Sequence, residues 1–88
     1  MASRVPKERK ASPRVEEALR LFGERLASLR TKAGLSQEAL GQAIGSDGNQ
    51  IYRYEKGKSA PTLTMIVLMA DVLEVEPHRL LMWRAKDR

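Results

Sequence analysis

SQEALGQAIGSDGNQIYRYEKG, residues 36–57, decides the reading of this chain. It holds two short helical patterns joined by a glycine. Ser36 is a favoured N-cap type, Leu40 and Ile44 lie four apart on one face, and Gly45 stands where a helix must end and the backbone turn with positive φ. The first helix is therefore about two turns long. Asp47 caps a second helix, whose Ile51 and Tyr54 recur at helical spacing and turn inward. Asn49, Gln50, Tyr52 and Arg53 are left nearer the outside. Gly41 stands one turn before Gly45, where the two helices would cross. A glycine inside a helix costs roughly 1 kcal/mol against alanine, so its presence predicts close packing there.

Two helices joined by a short turn, the second with a hydrogen-bonding outer face, can lay one helix in the major groove of DNA. The residue types on that face suit the task. An asparagine can pair with adenine N6 and N7, and an arginine with guanine O6 and N7. Asn49 and Arg53 are the main candidates; the alternative for both is an ordinary solvated helix face.

Outward from this core the organisation is simple. Residues 1–14 hold five basic residues against Glu8, with two prolines and little apolar content, and read as a flexible basic arm. Ser12-Pro13 is a helix start, and the stripe Val15, Leu19, Phe22, Leu26 and Leu29 carries a first helix to about Lys32, ended by Gly34. Thr62 caps a fourth helix over about 63–73, and Pro77 opens a short fifth near 77–83. The fold class is all-α with five helices: a domain over 15–83 between the arm and a charged tail, 84–88.

These residues resemble the Xre-type helix-turn-helix family, which includes Cro proteins and repressors of temperate phages. Gln37, Gly41 (usually alanine there), Gly45, Ile51 and Tyr54 fall on the motif's fixed positions, and Glu55-Lys56-Gly57-Lys58 with Pro61 matches the loop that follows. The likeness runs upstream through LASLRTKAGLSQ and downstream through PTLTMIVLMADVLEVEPHRLL, about residues 19–81. It implies a compact lambda-repressor-like DNA-binding domain.

The resemblance also assigns roles. Base edges would be faced by Asp47, Gly48, Asn49 and Arg53. Gly48 is a departure, since relatives often carry a long side chain there; Asp47 is another, and capping suits a carboxylate near phosphates better than base contact. Gln37 matches a phosphate-clamping glutamine, and Gln50, Tyr52, Lys56, Lys58 and Ser59 are weaker phosphate candidates that equally fit a solvated surface. Arg4, Lys7, Arg9 and Lys10 of the arm would follow the backbone or enter a minor groove, or else make no contact. Arg30 and Glu55 correspond to an ion pair that ties the first helix to the end of the third, a structural role. His78, in the first turn of the fifth helix, reads as exposed.

The fourth helix carries two apolar stripes. At about 100° per residue, Leu63, Ile66, Val67, Ala70 and Leu73 form one face, expected to be the core face, while Met65, Leu68 and Val72 gather roughly opposite. With Met69 beside them and Met82 or Trp83 from the fifth helix, they form a candidate dimer surface; the alternative is a loosely packed, methionine-rich core edge. Dimerisation also suits recognition, because a two-fold dimer reads two half-sites of a palindromic operator about 34 Å apart.

Composition sets the outer bounds. The 88 residues suit one small domain, and a net charge of +5 with a pI near 10.0 favours a polyanion partner such as double-stranded DNA. No cysteine and one histidine leave no thiolate or zinc site, and no cofactor is expected. No segment reaches the roughly 20 apolar residues of a membrane span, so a cytoplasmic protein is expected. No nucleophile and base pair or phosphate-binding glycine loop suggests an enzyme. The expectation is a homodimeric, sequence-specific transcriptional repressor. The alternatives are a protein-interaction adaptor, an antitoxin or a restriction-modification controller built on the same fold.

Overall fold

A computed structural model describes residues 12–83. They form α1 (Pro13–Lys32), α2 (Gln37–Ala43), α3 (Gly48–Glu55), α4 (Leu63–Leu73) and a 3-10 helix (Pro77–Leu81), with no strand among the described residues. All-α is the observed class. α1 takes in Pro13 and Arg14, the last two residues of the expected arm.

Each α-helix starts on a side chain that accepts from a first-turn amide. Ser12 accepts from Val15 N at 3.1 Å, Ser36 from Ala39 N at 2.9 Å, Asp47 from Gln50 N at 2.8 Å and Thr62 from Met65 N at 3.1 Å. Such caps satisfy amides that have no partner within the helix, each contributing about 1 kcal/mol. The ends are equally regular. After α2 the chain reverses at Gly45, φ 77°, and the amides of Gly45 and Ser46 donate to the carbonyls of Gln42 and Gly41. After α4 the same left-handed place is held by Glu74, φ 61°, the one non-glycine with positive φ among the described residues.

The core takes one fully buried large side chain from every element: Leu26 of α1, Leu40 of α2, Ile51 of α3, Met69 of α4 and Leu80 of the 3-10 helix. Phe22, Leu29, Ile44, Tyr54, Ala70 and Leu73 complete it. No element can leave without opening a cavity, and a Leu→Ala-sized cavity costs about 2–5 kcal/mol.

Three expectations are corrected by this packing. Val15, placed on the stripe of α1, is 47% exposed, because the first turns of α1 extend past the core. The fifth helix is a single 3-10 element that stops at Leu81, short of Trp83; Arg25 Nε donates to the Arg79 carbonyl at 2.8 Å, a bond made across the fold. α4 is rotated by about one residue step from the expected orientation. Leu63 and Val67, expected in the core, are exposed. Met69, expected at a surface for a partner, has no exposure at all. Met65, Val72 and Trp83 are half-buried against the core, whereas Leu68 and Met82 are exposed.

Candidate nucleic-acid interface

α3 is held by its apolar side. Ile51 and Tyr54 are buried, while Asn49, Tyr52 and Arg53 are exposed and Gly48 and Gln50 half-buried. Asp47 is committed to the cap, its Oδ1 taken by the Gln50 amide. The outer edge of α3 thus presents one carboxamide and one guanidinium to solvent.

Close backbone approaches fix the position of α3 on both sides. A Cβ built at Gly41 would fall 2.2 Å from the carbonyl carbon and oxygen of Asp47, so α2 meets the start of α3 at a distance no side chain permits. A Cβ at Gly48 would sit 3.1 Å from the backbone of Glu38. Glycine there brings the first turns of α2 and α3 together, which gives a packing reason for the missing long side chain. At the other end, a Cβ at Gly23 of α1 would lie 2.3 Å from the Glu55 carbonyl oxygen. Sequence reasoning passed over Gly23, although a glycine directly after Phe22 in an amphipathic helix was a signal of the same kind as Gly41.

A polar network joins α1, α2 and the end of α3. Arg30 grips Glu55 with two bonds, Nε to Oε2 at 2.5 Å and Nη2 to Oε1 at 3.1 Å, and its Nη1 donates to the Leu35 carbonyl at 2.7 Å. The Glu55 side chain is only 6% exposed and that of Arg30 16%. Gln37 Nε2 donates to Glu55 Oε1 at 2.9 Å. No fully buried side-chain nitrogen or oxygen among the described residues lacks a partner, which is the condition under which such a pair holds. Gln37 keeps its second amide hydrogen and its carbonyl oxygen for other partners.

After α3 the loop folds back. The ammonium groups of Lys56 and Lys58 both stand 5.9 Å from the centre of the Tyr52 ring, placing two positive charges around one exposed aromatic ring. Arg53 Nε donates to Ser59 Oγ at 3.0 Å, a contact the sequence reading did not foresee. Asn49, Tyr52, Arg53, Lys56 and Lys58 therefore lie on one helix and the loop that caps it. Arg4, Lys7, Arg9 and Lys10 lie outside the described residues, as does the tail from 84 to 88. His78 is exposed. No described helix is long and apolar enough to cross a membrane.

Comparison with known proteins agrees with this geometry. A family model described as helix-turn-helix matches residues 26–80. An uncharacterized HTH-type transcriptional regulator of Sinorhizobium fredii is 38% identical over 55 residues, covering 62% of this chain and 38% of its own length. An SPbeta prophage-derived HTH-type transcriptional regulator of Bacillus subtilis is 34% identical over 61 residues, covering 69% of this chain and 56% of its own. The chain thus spans only part of the curated relatives it matches.

Among solved structures, the restriction-modification controller protein C.AhdI of Aeromonas hydrophila is similar with a TM-score of 0.68 and 40% identity, over 70% of this chain and 94% of that one. The P22 c2 repressor, solved in complex with a synthetic operator, gives a TM-score of 0.65 and 30% identity, over 69% of this chain and 92% of that one. A hypothetical transcription factor from Neisseria gives 0.69 and 28%, over 90% of this chain and 87% of that one.

Proposed function

The chain belongs to the helix-turn-helix family, and from that premise we propose that it regulates transcription by binding double-stranded DNA with α3 in the major groove. The division of α3 carries this reading: Ile51 and Tyr54 are sealed in the core while Asn49 and Arg53 face outward. An asparagine and an arginine one turn apart, held on a helix that buried glycine contacts prevent from rocking, suit recognition of adenine and guanine edges. The likeness to a repressor solved with its operator supports the same use of the fold.

Affinity comes from the flanks. Gln37, with its second amide hydrogen, and Gln50, Tyr52, Lys56 and Lys58 are assigned to phosphate oxygens, which fix register and make binding steeply dependent on salt. Asp47 serves as the cap of α3, and Gly48 lets the backbone come close. The Arg30–Glu55 pair holds the end of α3 and has no base to read.

One reading head of this size covers few base pairs, so the protein acts as a homodimeric repressor on a two-fold operator. Leu68 and Met82, from the candidate surface, with Val67 and Leu81 beside them in sequence, are exposed apolar side chains available for pairing. Met69 is excluded by its burial.

The test is selection of bound sequences from random duplexes, followed by titration of wild type and Arg53→Ala on the selected site. An enriched palindrome is expected. Arg53→Ala should cost about 1–3 kcal/mol at that site and much less on unselected duplex. Absence of any duplex binding at low ionic strength would overturn the proposal.

A further inference from the structure

How Arg53 is aimed is decided by residues beyond α3. The helix ends in a reversal at Gly57, φ 71°, in which the Gly57 amide donates to the Tyr54 carbonyl at 3.1 Å and the Lys58 amide to the Arg53 carbonyl at 2.8 Å. This pair of bonds is a Schellman motif, and it needs a residue that accepts positive φ. Its consequence is that the residue after Lys58 runs back beside the last turn of α3. Ser59 Oγ then stands 3.0 Å from Arg53 Nε and accepts its hydrogen. Arg53 is thereby held twice by one loop, by its carbonyl and by its side chain.

A guanidinium carries five N–H groups in a rigid planar fork. The Ser59 bond uses Nε–H alone, and neither Nη group has a hydrogen-bond partner among the described residues. Two parallel bonds to guanine O6 and N7 can come either from the side of the fork, Nε with one Nη, or from its end, Nη1 with Nη2. With Nε engaged, only the end is available. The fork is also fixed before DNA arrives, so less side-chain freedom is lost when it binds.

We propose that Ser59 is a positioning residue for base readout: it locks Arg53 so that the Nη1–Nη2 end meets a single guanine. This rests on the reading of α3 as a DNA-recognition helix. It also changes the role first expected for Ser59. A phosphate contact through its hydroxyl would weaken every duplex alike, because phosphates carry no sequence information. Positioning predicts a loss confined to one base step.

The experiment measures binding of the full chain to the selected duplex and to its three variants at the base step where Arg53→Ala loses discrimination. Ser59→Ala should lower the preference for guanine at that step by about tenfold, the scale of one bidentate pair. Its affinity for unselected duplex and its salt slope should match wild type. Ser59→Thr, which keeps the hydroxyl, should restore the preference, and unchanged helicity and melting temperature show that the variants are folded. In the free protein, the Arg53 Nε–H proton should exchange with water faster in Ser59→Ala than in wild type.

A uniform loss on all duplexes with a shallower salt slope would make Ser59 a phosphate contact and overturn the inference alone. So would an undiminished guanine preference. If wild type binds no duplex, the DNA reading falls and the positioning role falls with it.

Discussion

α3 and α4 pack on the same core with opposite kinds of sequence. In α3, GNQIYRYE, two apolar side chains stand among polar ones, and only one rotation buries Ile51 and Tyr54 while leaving Asn49 and Arg53 in water. Any other rotation would bury a carboxamide or a guanidinium without a partner, at a cost of several kcal/mol. α4, LTMIVLMADVL, offers apolar side chains around most of its circumference. Exchanging one aliphatic face for another changes the buried area little, so the fit of shapes against α2 and the 3-10 helix decides. For this reason periodicity placed α3 correctly and α4 only in part: Ile66, Ala70 and Leu73 face the core as expected, whereas Leu63 and Val67 do not. Contrast between faces, and not apolar content, is what makes a helix orientation readable.

One signal in α4 could have settled it. Asp71 is its only charged residue, and both Met69 and Leu73 lie two positions away, about 200° around the helix. Putting Asp71 opposite the core makes Met69 and Leu73 the centre of the buried face, which is the arrangement observed.

Substitutions can break or sharpen this contrast. The largest effect is expected at Met69, where truncation to alanine should cost about 2–5 kcal/mol in urea unfolding, while Leu68→Ala beside it should cost less than about 1 kcal/mol. Similar costs at the two positions would mean that α4 has no fixed face. Next is Gly41→Ala. The added methyl would meet the Asp47 carbonyl, so a loss of about 1–3 kcal/mol is expected, with weaker selected-site binding as α3 is pushed from its place. Wild-type stability in this variant would show that the α2–α3 distance is set elsewhere. The smallest change is a gain. Glu74→Gly relieves a left-handed backbone at the end of α4 and should raise stability by about 0.5–1 kcal/mol, seen as a higher melting temperature. A lower one would indicate that the Glu74 side chain contributes more than the backbone strain it carries.

Much of the fold was legible in the sequence alone. Ser12, Ser36, Asp47 and Thr62 each start a helix where a capping side chain was expected, because capping depends on a residue and the three that follow it. The reversal at Gly45 was equally local. The candidate interface was legible in part. The outward side of α3 followed from Ile51 and Tyr54, whereas the Arg53–Ser59 bond and the Lys56 and Lys58 placement around Tyr52 depend on how the following loop turns. Gly23 went unread because its partner, the Glu55 carbonyl, is more than thirty residues distant in the chain.

By itself the sequence determined the four capped α-helices and the polar edge of the third, since caps, turns and amphipathic spacing are set by neighbours within a few positions. Only the tertiary structure decided which face of α4 is core, how near α1 and α2 approach α3, and which way Arg53 points. Those outcomes depend on shape and distance between segments far apart in the chain, and a linear pattern carries neither.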